Sequence, residues 1–137
     1  MQASDTIGAS ATAPGAGGIG VVRLSGPGAR AIAEKISGVE LRPRHAQYAM
    51  FRDDLGAIID DGIALSFLAP HSYTGEDVVE LHVHGGRAVV RAVEAALGST
   101  PGLRRAEPGE FTRRALLNGR IDLTEAEGLG DLLAAET

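Results

Sequence analysis

The sequence predicts an α+β domain in which a mixed, largely antiparallel sheet is flanked by three or four helices. Two observations support this fold class. Short apolar segments typical of strands are interleaved with segments of helical spacing, and turn residues separate them, with 19 Gly and 6 Pro among 137 residues. The length is that of one domain with a single core. Because only 4% of the residues are aromatic and none is Trp, that core must be mainly aliphatic.

The first half of the chain contains two predicted strand pairs with a helix between them. β-Branched or alternating segments bounded by turn residues predict the strands, which cover 6–13, 19–25, 45–52 and 57–68. Between the pairs, apolar spacing predicts an amphipathic helix over 28–37, which ends where Gly38 can cap it.

The second half begins with a predicted strand over 77–84, which Gly85 and Gly86 end. Val89, Val93 and Leu97 then recur at four-residue spacing and predict a helix over 87–97. A short edge strand and two further helices follow, at 103–106, at 110–117 and from about 122 onwards. Two overlapping capping boxes begin the last helix, pairing Asp122 with Glu125 or Thr124 with Glu127.

Composition and charge exclude several classes of protein. The 13 Lys and Arg against 18 Asp and Glu leave a net charge of −5, which argues against an autonomous nucleic-acid-binding domain but allows a local basic pocket. With no Cys, the sequence has no disulfide, thiolate nucleophile or Cys-ligated metal. Since no spanning segment or signal peptide is present, we expect a cytoplasmic location and no membrane association.

Residues 15–20 match the dinucleotide fingerprint G-x-G-x-x-G letter for letter. The fingerprint requires a helix to begin at its end, so that helix N-terminal amides face a pyrophosphate. Here the β-branched, strand-like residues 21–24 follow. We therefore interpret the motif as a Gly-rich turn that allows close backbone approach. No P-loop motif occurs in the chain, and we expect no GTPase activity from it.

Three ionisable residues share one face of the strand predicted over 77–84. Because side chains alternate along a strand, Glu80, His82 and His84 point to one side and the apolar residues between them to the other. Imidazole and carboxylate suit zinc, iron or manganese, so one hypothesis is a metal-dependent enzyme. The alternative is a pair of partly buried, hydrogen-bonded structural histidines.

Arg23 is the counterpart of Glu80, because it too is a charge within an otherwise apolar strand. A buried charge requires a partner, so the two residues form either an internal ion pair or part of a ligand site. Further arginines cluster towards the end of the chain, where they are either ligand groups or a solvated helix face. These are Arg104, Arg105, Arg113, Arg114 and Arg120.

Several longer motifs occur in one order and with consistent gaps. They cover residues 5–7, 14–26, 72–81, 84–86, 108–123 and 126–127. Together these stretches resemble the N-terminal domain of the tRNA modification GTPase family called MnmE or TrmE. The resemblance implies a fold similar to folate-binding domains of glycine-cleavage type proteins. It also implies homodimerisation and binding of a tetrahydrofolate derivative at the dimer interface.

The family's folate contacts correspond to Arg23, Glu80 and Arg120 of this chain. A pterin ring presents an amide N–H beside an exocyclic amine, and one carboxylate can accept both, which suits Glu80. The two arginines can bind carbonyl, formyl or glutamate oxygens. The resemblance thus favours ligand groups over a mutual Arg23–Glu80 ion pair. It implies neither catalytic residues nor a metal site in this chain.

The resemblance also implies the setting in which this domain works. Family members install an aminomethyl-type group on the wobble uridine of certain tRNAs, together with the FAD-dependent protein MnmG (GidA). The one-carbon donor is 5-formyltetrahydrofolate or 5,10-methylenetetrahydrofolate, and a GTPase domain uses GTP, magnesium and potassium. We expect residues 1–120 to form the folate-binding, dimerising domain and residues 121–137 to begin a truncated helical domain, with the GTPase domain absent. The remaining alternative is a purely structural dimerisation domain.

Overall fold

The computed structural model describes residues 5–11 and 18–128. Within these ranges six strands and three helices follow one another, and residues 123–128 are helical as well. The elements are β1 (Thr6–Ser10), β2 (Ile19–Ser25), α1 (Ala29–Ser37), β3 (Gln47–Arg52), β4 (Ile58–Phe67), β5 (Val78–His84), α2 (Arg87–Gly98), β6 (Leu103–Arg105) and α3 (Glu110–Leu117).

The six strands form one sheet in the order β3-β4-β5-β2-β1-β6. Every neighbouring pair is antiparallel except β1 and β6, which run parallel. The predicted α+β fold with a mixed, largely antiparallel sheet is confirmed. In the centre of the sheet, the register of β2 against β5 places Arg23 directly opposite Glu80.

The two faces of this sheet differ in what covers them. One face packs against α1 and α2 through fully buried aliphatic side chains such as Val22, Leu24 and Leu81. Alternation along the strands then directs Arg23 and Glu80 to the second face. Towards the β3 edge that second face carries exposed apolar side chains, including Tyr48 and Ile63, which are cross-strand partners. The polar centre of the sheet is therefore accessible from the side that α1 and α2 leave uncovered.

Local sequence signals determine most element ends. Gly38 takes the left-handed conformation at φ 71° and its N–H donates to the Glu34 carbonyl, which ends α1 as predicted. The predicted box between Asp122 and Glu125 forms reciprocally. The Glu125 N–H donates to Asp122 Oδ1 at 2.7 Å, and the Asp122 N–H donates to Glu125 Oε1 at 3.0 Å. Predictions for residues 12–17 and 129–137, among them part of the Gly-rich loop and the end of the last helix, lie outside the described residues.

Candidate ligand-binding site

Arg23 and Glu80 form an ion pair at the centre of the second sheet face. The Nη2 and Nε atoms of Arg23 donate to Glu80 Oε2 at 3.1 and 3.3 Å, and both side chains are about one-fifth exposed. The other carboxylate oxygen, Oε1, lies 3.0 Å from His82 Nε2. The family resemblance favours ligand groups over a mutual ion pair. The preference against an ion pair is wrong, because Arg23 and Glu80 form one in the structure. Their role in ligand binding stays a prediction.

Two aromatic rings hold the guanidinium of Arg23 in place. Its central carbon lies 5.2 Å from the ring centroid of Tyr73 and 5.5 Å from that of Phe111. The Tyr73 hydroxyl is 2.9 Å from Thr112 Oγ1, so the loop after β4 and helix α3 meet over this cation. Sequence reasoning missed both rings as site residues. Both residues lie inside the motif stretches 72–81 and 108–123, but strand periodicity carries no information about which loop covers a strand.

A cleft of about 660 Å³ opens beside the pair. Cavities that hold small ligands in proteins have volumes of roughly 300–1,000 Å³, so the cleft has the right size for one. Its walls bring together two of the three predicted site residues, Glu80 and Arg120, while Arg23 contacts the lining residues Glu80 and Tyr73. The complete lining is Arg44, Phe67, His71, Ser72, Tyr73, Val78, Glu80 and Arg120.

Arg120 is held at the cleft by the loop that carries Tyr73. Its Nε donates to the Ser72 carbonyl at 2.9 Å, and among the described residues its two Nη nitrogens have no hydrogen-bond partner. The same loop is tied to the end of α3, because Asn118 Nδ2 donates to the Thr74 carbonyl at 2.8 Å. Gly75 makes this approach feasible, since it adopts φ 84° and an added Cβ would lie 2.8 Å from that of Asn118.

Helix α3 is fastened to the sheet by a network of charged groups, which we call the buried network. It consists of Asp5, Glu76, Arg104, Glu110 and Arg114. Arg114 is 2% exposed and donates to carboxylates of Asp5, Glu76 and Glu110. Arg104 binds Glu110 with two parallel hydrogen bonds of 2.9 and 2.6 Å. The interpretation of the late arginines as a solvated helix face is therefore wrong for Arg114, although Arg113 on the same helix is exposed.

The electrostatics of the buried network follow from these contacts. Hydrogen bonds from Arg104 hold the pKa of Glu110 at about 2, and the same guanidinium lowers the pKa of Asp5 to about 2. Burial works to lower the pKa of Arg114, but its bonds to Glu76 and Asp5 outweigh burial and raise it. Asp5, Glu110 and Arg114 are thus charged at neutral pH. By holding α3, they position Phe111 and Thr112 at the cleft.

The structure confirms the strand face on which the metal hypothesis depends, but it gives the two histidines different partners. The three side chains do share a face, but His82 bonds to Glu80, whereas His84 Nδ1 lies 2.8 Å from Asp60 Oδ1. Within 5–11 and 18–128, one group can bring three ligand atoms together, namely Asp60, Asp61 and His84. Only one of its members was predicted, because the others come from a neighbouring strand that the sequence pattern did not connect to β5.

The Gly-rich motif is followed by strand β2 and not by a helix, as the β-branched residues predict. At its described end, Gly20 packs so closely under α2 that an added Cβ would lie 2.6 Å from Val90 Cγ2. This close approach confirms the structural interpretation at Gly20, whereas residues 15–17 lie outside the described part of the chain. The motif in this context lacks the helix N-terminus on which a dinucleotide site depends.

Comparison with known proteins identifies the family. A family model described as "GTP-binding protein TrmE N-terminus" matches residues 6–120. The chain belongs to this family. A protein named tRNA modification GTPase MnmE from Parvibaculum lavamentivorans is 58% identical over 97% of this chain. Proteins of the same name from Bordetella parapertussis and Stutzerimonas stutzeri are 57% and 53% identical over 96% and 100% of it.

The TrmE relatives are much longer than this chain, which spans 31%, 30% and 30% of their respective lengths. The match to the family model ends at Arg120, the residue that closes the cleft on the α3 side. Among the described helices, none is both long enough and apolar enough to span a membrane. The comparisons therefore place the chain in the TrmE N-terminal family, whose matched relatives carry the name tRNA modification GTPase.

Proposed function

We propose that this chain binds a tetrahydrofolate one-carbon donor in the cleft beside Glu80 and mediates homodimerisation. The donor is 5-formyltetrahydrofolate or 5,10-methylenetetrahydrofolate, used for aminomethyl-type modification of a tRNA wobble uridine. Membership of the TrmE family and relatives named tRNA modification GTPases support this setting. Arg23, Glu80 and Arg120, which the resemblance assigns to folate, all lie in or against one cleft of suitable size.

The observation that carries the proposal is the burial and hydrogen bonding of the Glu80 carboxylate in the cleft wall. The side chain is four-fifths buried and forms part of the cleft wall, so a ligand that displaces water there must leave the carboxylate oxygens hydrogen-bonded. A carboxylate offers about four lone-pair positions. Arg23 uses two on Oε2 and His82 one on Oε1. Bidentate acceptance of a pterin N–H pair therefore uses the remaining position on Oε1 and exchanges one Arg23 bond on Oε2 for a ligand N–H.

The two arginines have different parts in this proposal. Arg23 donates two hydrogen bonds to Glu80 Oε2 and, held by Tyr73 and Phe111, fixes the orientation of that carboxylate. Arg120 lines the same cleft, and its Nη donors bind carbonyl, formyl or carboxylate oxygens of the ligand. Glu80 thus recognises donors and Arg120 recognises acceptors, which matches a ring with both kinds of edge.

The remaining activities belong to the longer protein in this proposal. GTP, magnesium and potassium bind to its GTPase domain, and the 137-residue chain by itself does not turn over GTP because its sequence has no P-loop. The tRNA and the FAD-dependent MnmG join through the full assembly in the cytoplasm. The net charge of −5 agrees with tRNA contacts being made elsewhere. In the same proposal, residues 1–120 form the folate-binding, dimerising domain and residues 121–137 begin the helical domain.

Isothermal titration calorimetry with 5-formyltetrahydrofolate tests the proposed ligand. The unmodified chain should bind with one site per protomer, and Glu80→Gln should abolish detectable binding, because an amide cannot accept both pterin donors. Glu107→Gln is the matched control, since the Glu107 side chain is 67% exposed and outside the cleft. Equal affinity in Glu80→Gln and the control would refute the site. Absence of binding to the unmodified chain would instead favour a purely structural domain, and sedimentation of the dimer with and without ligand would then show no linkage.

A further inference from the structure

Arg44 stands apart from the other cleft residues in its backbone conformation. At φ 62° it is the one non-glycine residue with positive φ among those described. Its N–H donates to the Ser66 carbonyl at 2.7 Å, and the neighbouring Pro43 forms a bridge to the same Ser66. A left-handed conformation is unfavourable for a residue with a side chain, so tertiary contacts hold the backbone there. The sequence analysis did not single out this residue.

The side chain of Arg44 extends over the cleft. Its guanidinium carbon lies 5.6 Å from the centroid of the Phe67 ring, and both residues line the cleft. Leu65 on β4 is the cross-strand partner of Glu80, so Phe67, two residues further, shares the face of Glu80. Two residues along a strand correspond to roughly 7 Å. Arg44 therefore covers a part of the cleft displaced along the strands from the Glu80 carboxylate.

The charge of the cleft differs from that of the chain. Whereas the whole chain has a net charge of −5, the lining carries Arg44 and Arg120 against the single carboxylate of Glu80. Glu80 is already compensated by Arg23. Within 5–11 and 18–128, neither Arg44 nor Arg120 forms a salt bridge, in contrast to Arg23 and the buried Arg114. Two cations that share one cleft and form no salt bridge with the described carboxylates favour an anionic group on the ligand.

We propose that Arg44, together with Arg120, binds a carboxylate-bearing tail of the ligand and makes this tail a requirement for tight binding. The inference rests on the proposed function, in which Glu80 binds the ring end of the same molecule. A guanidinium that lies over an aromatic ring can still donate its N–H groups, and its planar fork matches the two oxygens of a carboxylate. Phe67 thus orients Arg44 towards the cleft in the way that Tyr73 and Phe111 orient Arg23.

The test compares two probes of nearly equal size by calorimetry. One is 5-formyltetrahydrofolate, and the other is its bis-amide, in which both tail carboxylates are neutral amides. The unmodified chain should bind the carboxylate form at least about tenfold more tightly, as expected for a charge-assisted bidentate contact. Arg44→Gln should reduce this ratio to below about threefold, because it should weaken binding of the carboxylate form much more than binding of the bis-amide. Arg44→Lys, which keeps the charge but not the fork, should give an intermediate ratio and serves if the Gln variant does not fold.

Arg42→Gln is the matched control, because Arg42 is exposed, close in sequence and not part of the cleft lining. It should retain the ratio of the unmodified chain. A ratio that Arg44→Gln leaves unchanged, or an equal loss for both probes, would overturn the inference while the proposed function stands. If neither probe binds to the unmodified chain, the proposed function fails first and the inference fails with it.

Discussion

Two assemblies of arginine and carboxylate lie on either side of the start of α3, and they differ in what their charges are used for. The buried network is closed, since Arg114 and Glu110 each have a 3% exposed side chain and several protein partners. The pair of Arg23 and Glu80 is about one-fifth exposed and borders a cleft. Similar residue types thus serve to fasten a helix in one place and to present polar groups to a ligand in the other.

This difference shows that the extent of burial distinguishes charged groups with a structural role from charged groups that are available to a ligand. Desolvation makes a buried charge expensive unless its partners stay in place, so the buried network must remain intact for α3 to pack. At the cleft, water or a ligand can take the place of a lost partner. Removing one member of the Arg23–Glu80 pair should therefore change the free energy of unfolding only a little. The two assemblies are also coupled, because α3 carries Glu110 and Arg114 of the buried network as well as Phe111, whose ring lies against the Arg23 guanidinium.

The largest expected effect is that of Arg114→Met on stability. Removing this guanidinium leaves the carboxylates of Glu76 and Glu110 without it in a buried position, which should lower the free energy of unfolding by about 3–5 kcal/mol. Urea denaturation followed by circular dichroism measures the loss. Arg113→Met on the same helix is the control and should stay within about 0.5 kcal/mol of the unmodified chain, since Arg113 is exposed. Similar losses in both variants would contradict the distinction between buried and exposed charges.

A somewhat smaller effect should appear in acid. The pKa of Glu110 is about 2 in the folded chain against an ordinary value of 4.5, so the unfolded state binds more protons between these values. Stability should therefore be fully present above pH 4.5 and fall as the pH drops towards 2. For this buried group the loss amounts to about 3 kcal/mol. Asp5 adds less, because its side chain is 46% exposed.

Urea titrations at a series of pH values measure this dependence, with Glu110→Gln as the matched variant. The variant should be less stable at neutral pH and lose less of its stability in acid. If the two curves stay parallel down to pH 2, Glu110 is not the group that titrates.

The smallest expected effect is that of Glu80→Gln on stability. Glu80 is partly exposed, and an amide oxygen can still accept from Arg23, so the free energy of unfolding should change by about 1 kcal/mol or less. The same denaturation experiment measures it, on the variant already used for ligand titration. A loss as large as that of Arg114→Met would show that the pair of Arg23 and Glu80 is a structural element. The loss of ligand binding in Glu80→Gln would then report misfolding.

Local patterns predicted the elements well because each has a local cause. Helix α3 covers Glu110–Leu117 as predicted. Helix α1 ends before Gly38, because the chain takes a left-handed conformation there, which glycine adopts with little strain. Alternation along β5 correctly separated Glu80 and His82 from the aliphatic residues of the core. The family assignment likewise followed from motif order, which the family match confirms.

The sequence by itself determined the fold class, the element ends and the isolation of Arg23 and Glu80 within apolar strands, because periodicity and turn chemistry act over a few residues. Only the tertiary structure decided the partners. It brought Tyr73 and Phe111 against Arg23, buried Arg114 among three carboxylates and placed Arg44 at the cleft. These contacts join residues distant along the chain, and whether a charge is desolvated depends on every element that packs around it.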